Sequence, residues 1–227
     1  MNEARVLRPS IESLRGLYAI TDAALQPAEQ LCERVSQAID GGAVLIQYRD
    51  KSGDERLRRK QAQALAALCA QRSVRLIIND DVALAADCGA DGVHLGKDDT
   101  GLSTARRVLG DTAIIGASCY NRLELARQAA DAGADYLAFG RFFPSQTKPG
   151  AIQAGVELIG EAKRRFPLPV AAIGGITPYN AAPLLAAGAD MLAVIHGLFG
   201  ATDVRQAAAD YAALFTHEAG VGTKRAQ

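Results

Sequence analysis

Several stretches of the chain gather side chains able to handle anions. Gln47, Arg49 and Lys51 alternate at the end of an apolar run, and an extended chain puts such residues on one side. Two cations and an amide then converge. A second run ends in Asn79, Asp80 and Asp81, and a third is followed by Gly96, Lys97, Asp98 and Asp99. Carboxylates brought together repel unless a cation lies between them. Magnesium takes one or two carboxylates, several waters and substrate phosphate oxygens, so a magnesium diphosphate would satisfy acids and cations together. Arg49 and Lys51 by themselves read equally as a solvated loop entrance; the neighbouring acids favour a site. Asp is also a common helix cap. Asp81 is therefore assigned to the start of a helix near Val82, and Asp80 to the metal.

Two further stretches suit anions. RFFPSQTKPG, residues 141 to 150, is longer than a connector needs and carries the Ser145 and Thr147 hydroxyls and the Lys148 ammonium. Such a loop can close over a ligand. Gly174, Gly175, Ile176 and Thr177 follow another apolar run, where glycine lets backbone N–H groups approach a ligand and a following helix N-terminus favours anions. One diphosphate site and one monophosphate site are implied. That pattern suggests an enzyme that joins two substrates.

The elements that must position these residues are legible as an alternation of short β-branched runs with Ala-rich, charge-bearing stretches. The runs are LYAIT (17 to 21), AVLIQYR (43 to 49), RLIIN (75 to 79), GVHL (92 to 95), AIIGAS (113 to 118), YLAFG (136 to 140), PVAAIG (169 to 174) and MLAVIH (191 to 196). Their continuous apolar character implies burial on both faces, as in a parallel sheet covered by helices. Eight βα units in 227 residues predict a single (β/α)8 TIM barrel, for which roughly 250 residues are typical and the site lies just beyond the strands. A "GAD" or "GA" phrase precedes several runs, at 41 to 43, 89 to 91, 133 to 135 and 188 to 190. Its glycine is expected to end each helix at a left-handed position. The recurrence fits either duplicated units or short αβ loops that converged. The barrel is expected over about 14–217 of the single domain 1–227, with loosely docked ends.

Composition narrows the function. Lys plus Arg and Asp plus Glu are both 25, with no long block of one sign, so neither nucleic acid nor a membrane surface is the expected partner. Cys32, Cys69, Cys88 and Cys119 are widely spaced, without the clustering of a zinc site. The first residues alternate charged and apolar side chains and no run is long enough to span a bilayer, which predicts a cytoplasmic protein.

Taken in order, QYRDK, IINDD, HLGKDD, GAS, FPSQTKPG and AIGGIT resemble the thiamine-phosphate synthase family over nearly the whole chain. The resemblance implies a magnesium-dependent transferase acting on a pyrimidine diphosphate and a thiazole phosphate. Gln47, Arg49 and Lys51 match the segment that holds the aminopyrimidine and its diphosphate, and Asn79 the residue that hydrogen-bonds the pyrimidine. Asp80 and Asp99 match the magnesium ligands, and Ser118 the hydroxyl near the reacting diphosphate. Ser145 and Thr147 match the thiazole-binding pair, Lys148 a diphosphate ligand, and Gly175, Ile195 and His196 the thiazole-phosphate cradle. The implied mechanism is dissociative: diphosphate leaves, the aminopyrimidine stabilises a methylene cation, and the thiazole nitrogen captures it. Arg49, Lys51, Ser118 and Lys148 are the catalytic set this implies. A carboxylated thiazole partner would also release carbon dioxide. Relatives are often dimers, so a homo-oligomer is compatible with the resemblance.

Two departures stand out. His196 replaces a common Ser, which main-chain phosphate binding at Ile195 and His196 would tolerate. Cys119, Tyr120 and Asn121 replace a Thr-His pair and receive no catalytic role. His94 is read as a packed or supporting histidine, and Cys119 as packing. Two rivals stay open. A thiazole tautomerase on the same barrel would use a histidine in the loop after strand 5, roughly where Tyr120 stands, and would not need the acidic set. A noncatalytic phosphate sensor would bind both ligands without turnover.

Overall fold

A computed structural model of the chain describes residues 14–97, 99–144 and 152–217. All eight apolar runs form strands, and each strand is parallel to its neighbours in a closed barrel that runs in sequence order from β1 to β8. The strands are β1 (Gly16–Ile20), β2 (Ala43–Tyr48), β3 (Arg75–Asn79), β4 (Gly92–Leu95), β5 (Ile114–Tyr120), β6 (Tyr136–Gly140), β7 (Val170–Ile173) and β8 (Met191–Val194). Between and after them lie α1 (Leu31–Asp40), α2 (Glu55–Gln71), α3 (Val82–Cys88), α4 (Leu102–Leu109), α5 (Leu123–Asp131), α6 (Glu157–Arg165), α7 (Ala182–Ala186), α8 (His196–Phe199) and α9 (Val204–His217). The expected barrel is present. The expected loosely docked ends, 1–13 and 218–227, lie outside the described residues.

Some boundaries differ from the sequence reading. Strand β7 stops at Ile173 because Gly174 turns the chain at φ +103°. Strand β8 stops at Val194 because Ile195 already caps α8. Strand β5 instead runs on to Tyr120 through a register shift between Ser118 and Tyr120, and such a bulge re-aims the side chains at a barrel rim.

The runs are buried on both faces because two cores need them. Outward residues such as Leu17, Ile46, Ile78 and Leu137 pack against the helices. On α1, Leu31, Val35 and Ala38 supply the i, i+4, i+7 stripe that covers the sheet. Inward residues fill the barrel, with Tyr18, Leu45, Ile77 and Tyr136 large and Ala138, Ala171 and Ala193 small. Gly116 is small for a reason: a Cβ there would sit 2.0 Å from the Tyr136 ring. The small residues on β6 and β8 leave a cavity above this floor.

The recurring glycine phrase does more than end helices. Gly89, Gly133 and Gly188 have positive φ as expected, and in the first phrase it is Gly42 rather than Gly41. The aspartate that follows then clips two strands together. Asp91 Oδ2 accepts from the Leu76 N–H at 2.8 Å, Asp135 Oδ2 from Ile115 at 2.8 Å, and Asp190 Oδ2 from Val170 at 2.7 Å. Each carboxylate thus satisfies the first open N–H of the preceding strand, a donor that would otherwise be costly to bury. Each also meets a cation, Arg75, Arg106 or Lys163. Asp81 caps α3 as assigned, its carboxylate accepting from Leu84 N at 2.9 Å, and also pairs with Arg58.

Candidate active site

A cavity of about 360 Å³ opens at the C-terminal ends of the strands. Gln47, Arg49, Asn79 and Ser118 line one side of it, and Gly175, Ile195 and His196 line the other. The barrel therefore brings seven of the thirteen sequence-predicted residues to one space. Lys51, Asp80 and Asp99 gather in a polar cluster beside Asn79. Ser145, Thr147 and Lys148 lie outside the described residues.

On the β2–β4 side Arg49, Lys51, Asp80 and Asp99 each have a polar neighbour. Arg49 is held by the residues that follow β1: its N–H donates to Thr21 Oγ1 at 2.8 Å and its guanidinium meets Asp22 at 3.0 Å. Asp22 was missed in the sequence because nothing local links it to Arg49. Lys51 pairs with Asp80, whose Oδ2 also accepts from Asn79 Nδ2 at 2.6 Å. Asp99 accepts from Gly96 N at 2.6 Å and turns toward Asp80. Burial raises the Asp99 carboxyl above its usual range and Asp80 raises it further. Burial would raise Asp80 too, but the Lys51 ammonium and the contact from Asp99 outweigh it and hold Asp80 low. Two acids facing each other in this way favour a cation between them. Among the described residues, no three His, Cys, Asp or Glu side chains assemble into a metal-ligand group.

The cavity floor carries a hydrogen-bond chain that the sequence did not reveal. Gln47 Nε2 donates to the Tyr18 hydroxyl at 2.5 Å, which lies 2.8 Å from the Tyr136 hydroxyl. Tyr136 is 2.9 Å from His94 Nδ1, and His94 Nε2 is 2.9 Å from Ser118 Oγ. An amide nitrogen can only donate, whereas each hydroxyl and the imidazole can donate or accept. The chain links Gln47 to Ser118 through Tyr18, Tyr136 and His94 and fixes the position of the Ser118 hydroxyl at the cavity wall. His94 is thus a supporting residue, as the sequence suggested. Tyr18 and Tyr136 were read only as strand residues. Tyr136→Phe should cost about 1–3 kcal/mol by stranding two partners. It should also alter the ring ¹⁵N pattern of His94 in NMR spectra; an unaltered pattern would remove Tyr136 from the chain.

The β7–β8 side is backbone held rigid from behind. Gly175 has φ +64°, and a Cβ there would sit 2.2 Å from the Pro144 carbonyl. Asn180 clamps this turn, donating to Gly175 O at 3.0 Å and accepting from Thr177 N at 2.8 Å. The Tyr211 hydroxyl, from α9, donates to Ile176 O at 2.9 Å, in space that a Cβ on Gly197 would fill. Ile195 and His196 open α8 at the cavity wall. Tyr120 lines the cavity as well, at φ +53°. Cys119 is fully buried and its thiol is pushed up to about 12 by that burial, which fits packing and not a nucleophile.

The family model described as "Thiamine monophosphate synthase" matches residues 17–198. A thiamine-phosphate synthase of Nitrosococcus oceani is 55% identical over 199 residues, 88% of this chain and 92% of its own length. One of Thiobacillus denitrificans is 55% identical over 203 residues, 89% of this chain and 96% of its own. The solved structure of a thiamine phosphate pyrophosphorylase from Pyrococcus furiosus superposes with a TM-score of 0.83 at 35% identity, covering 92% of this chain and 98% of that one. The match spans every strand and both sides of the cavity, and the chain belongs to the thiamine monophosphate synthase family of transferases.

Proposed function

We propose that this protein condenses an aminopyrimidine diphosphate with a thiazole phosphate, giving thiamine phosphate and diphosphate. One observation carries the reading. A single cavity runs from Arg49 and Asn79, beside the Lys51, Asp80 and Asp99 cluster, to the glycine turn after β7 and the start of α8 after β8. Two differently charged ligands can therefore meet inside it.

In this reading the aminopyrimidine lies over the floor, beside Gln47 and Asn79. Its diphosphate reaches Arg49, Lys51 and the acid pair. Asp80 and Asp99 would hold a magnesium ion, which fits their mutual approach and supplies charge neutralisation when bound. Arg49 and Lys51 neutralise the negative charge that grows as the C–O bond breaks, and Ser118 donates its hydroxyl proton toward the leaving oxygen. Fixed donors of this kind contribute about 10²- to 10³-fold each, because they need no reorganisation during the reaction. The thiazole phosphate binds the backbone at Gly175, Ile195 and His196, which aims the ring nitrogen at the exposed methylene carbon. Ser145, Thr147 and Lys148 would contribute from the loop that follows β6. A carboxylated thiazole would lose carbon dioxide after the joining step. The four unpaired cysteines support a reducing, cytoplasmic setting.

The test supplies both phosphorylated substrates with magnesium and measures thiamine phosphate and released diphosphate. Chelation by EDTA should abolish turnover, and added magnesium should restore it. Tight binding of both ligands without turnover would instead favour a sensor. Conversion of a thiazole tautomer without any pyrimidine would favour an isomerase.

A further inference from the structure

We propose that Arg141 is a ligand for the phosphate of the thiazole substrate, an assignment that rests on the two-substrate reading above. Arg141 follows directly on β6 and lines the cavity. Among the described residues, no Asp or Glu lines that cavity with it. The other guanidinium there, Arg49, stands at the end of β2, on the diphosphate side, and is held by Asp22. Arg141 has no carboxylate or side-chain hydrogen-bond partner among the described residues, and what sets it apart from the other arginines without an Nε partner, Arg34, Arg58 and Arg106, is its place in the cavity wall. A guanidinium at a cavity wall without a counterion is neutralised by a bound anion.

Position selects which anion. The backbone of Arg141 is fixed by Ala154 N, which donates to its carbonyl at 2.7 Å. It abuts the β7 turn so closely that a Cβ on Gly174 would lie 2.3 Å from the Arg141 Cβ. Its neighbour is therefore the glycine turn after β7, which lines the same cavity as Ile195 and His196. The Arg49, Lys51 and Asp80 cluster stands across the barrel, at β2 and β3. A guanidinium fork pairs with a phosphate dianion through two parallel N–H bonds. Backbone N–H groups alone do not neutralise such a dianion.

The test uses the full chain and measures binding by calorimetry. Arg141→Met keeps the stem and removes the charge, and should weaken thiazole phosphate by about 10- to 100-fold, the range for a charged hydrogen-bonded contact. Arg141→Lys should recover part of that loss. The dephosphorylated thiazole alcohol should bind wild type and Arg141→Met alike, and magnesium pyrimidine diphosphate should shift less than about threefold between them. Equal binding of thiazole phosphate by wild type and both variants would overturn the assignment, as would an equal loss for the pyrimidine diphosphate. Thermal melts exclude misfolding, and Arg141→Lys carries the test if Arg141→Met does not fold. Arg141-dependent phosphate binding without wild-type turnover would sink the synthase reading and leave the ligand assignment standing. Turnover with no Arg141 dependence would do the reverse.

Discussion

Asp80→Asn is expected to lower magnesium-dependent kcat/KM by about 10²- to 10³-fold while the protein stays folded. Asparagine is the informative choice because Asp80 has φ +64°. Asn tolerates that left-handed conformation, whereas Ala would add backbone strain to the loss of charge. The amide keeps an oxygen for the Asn79 and Lys51 donors and removes only the negative charge. Asp80 is a quarter exposed, so its pairing with Lys51 contributes little to stability. Steady-state rates over a magnesium titration, with a thermal melt beside them, make the measurement. A variant with wild-type turnover and magnesium dependence would remove Asp80 from the metal.

The largest stability effect should come from the opposite end of the barrel. Asp135→Ala is expected to cost about 3–5 kcal/mol, because it leaves a buried charge without its partner. The Asp135 side chain is only 8% exposed and its partner Arg106 16%. The same carboxylate also satisfies Ile115 N. Arg106 keeps its carbonyl partners at Ala113 and Gly133, so the lower half of the range is favoured. Asp91→Ala is the control: its partner Arg75 is 52% exposed, and about 1 kcal/mol is expected. Denaturant titration of the two variants reads the difference directly. Equal losses, or a loss for Asp135→Ala below about 1 kcal/mol, would contradict the burial argument.

The barrel was legible because period and composition act locally. Each apolar run had to be buried on both faces, and eight such runs separated by helical stretches admit few arrangements. The ends of β7 and β8 were misplaced because Gly174 and Ile195 turn the chain in ways that an apolar run does not announce. Asp81 was readable as a cap since its partner is three residues away. Asp22, Tyr18, Tyr136 and the carboxylates of Asp91, Asp135 and Asp190 were not, since each acts across strands distant in sequence. The two tyrosines look like ordinary strand aromatics until the closed barrel turns their hydroxyls toward each other. Arg141 lay inside a stretch inspected for its hydroxyls and its lysine, and only the missing counterion reveals it.

The aspartate clips divide the barrel into staves. Asp91 ties β4 to β3, Asp135 ties β6 to β5, and Asp190 ties β8 to β7, while the glycine phrase before β2 carries no such acid. A break in the chain between β4 and β5 would leave every clip intact within one fragment or the other. Two half-barrels made that way retain their own fastenings and need only re-zip along two seams, whereas a break between β5 and β6 would separate a clip from its strand. The molecule thus has preferred places to be cut, permuted or shuffled, and they are set by three carboxylates that never touch a substrate.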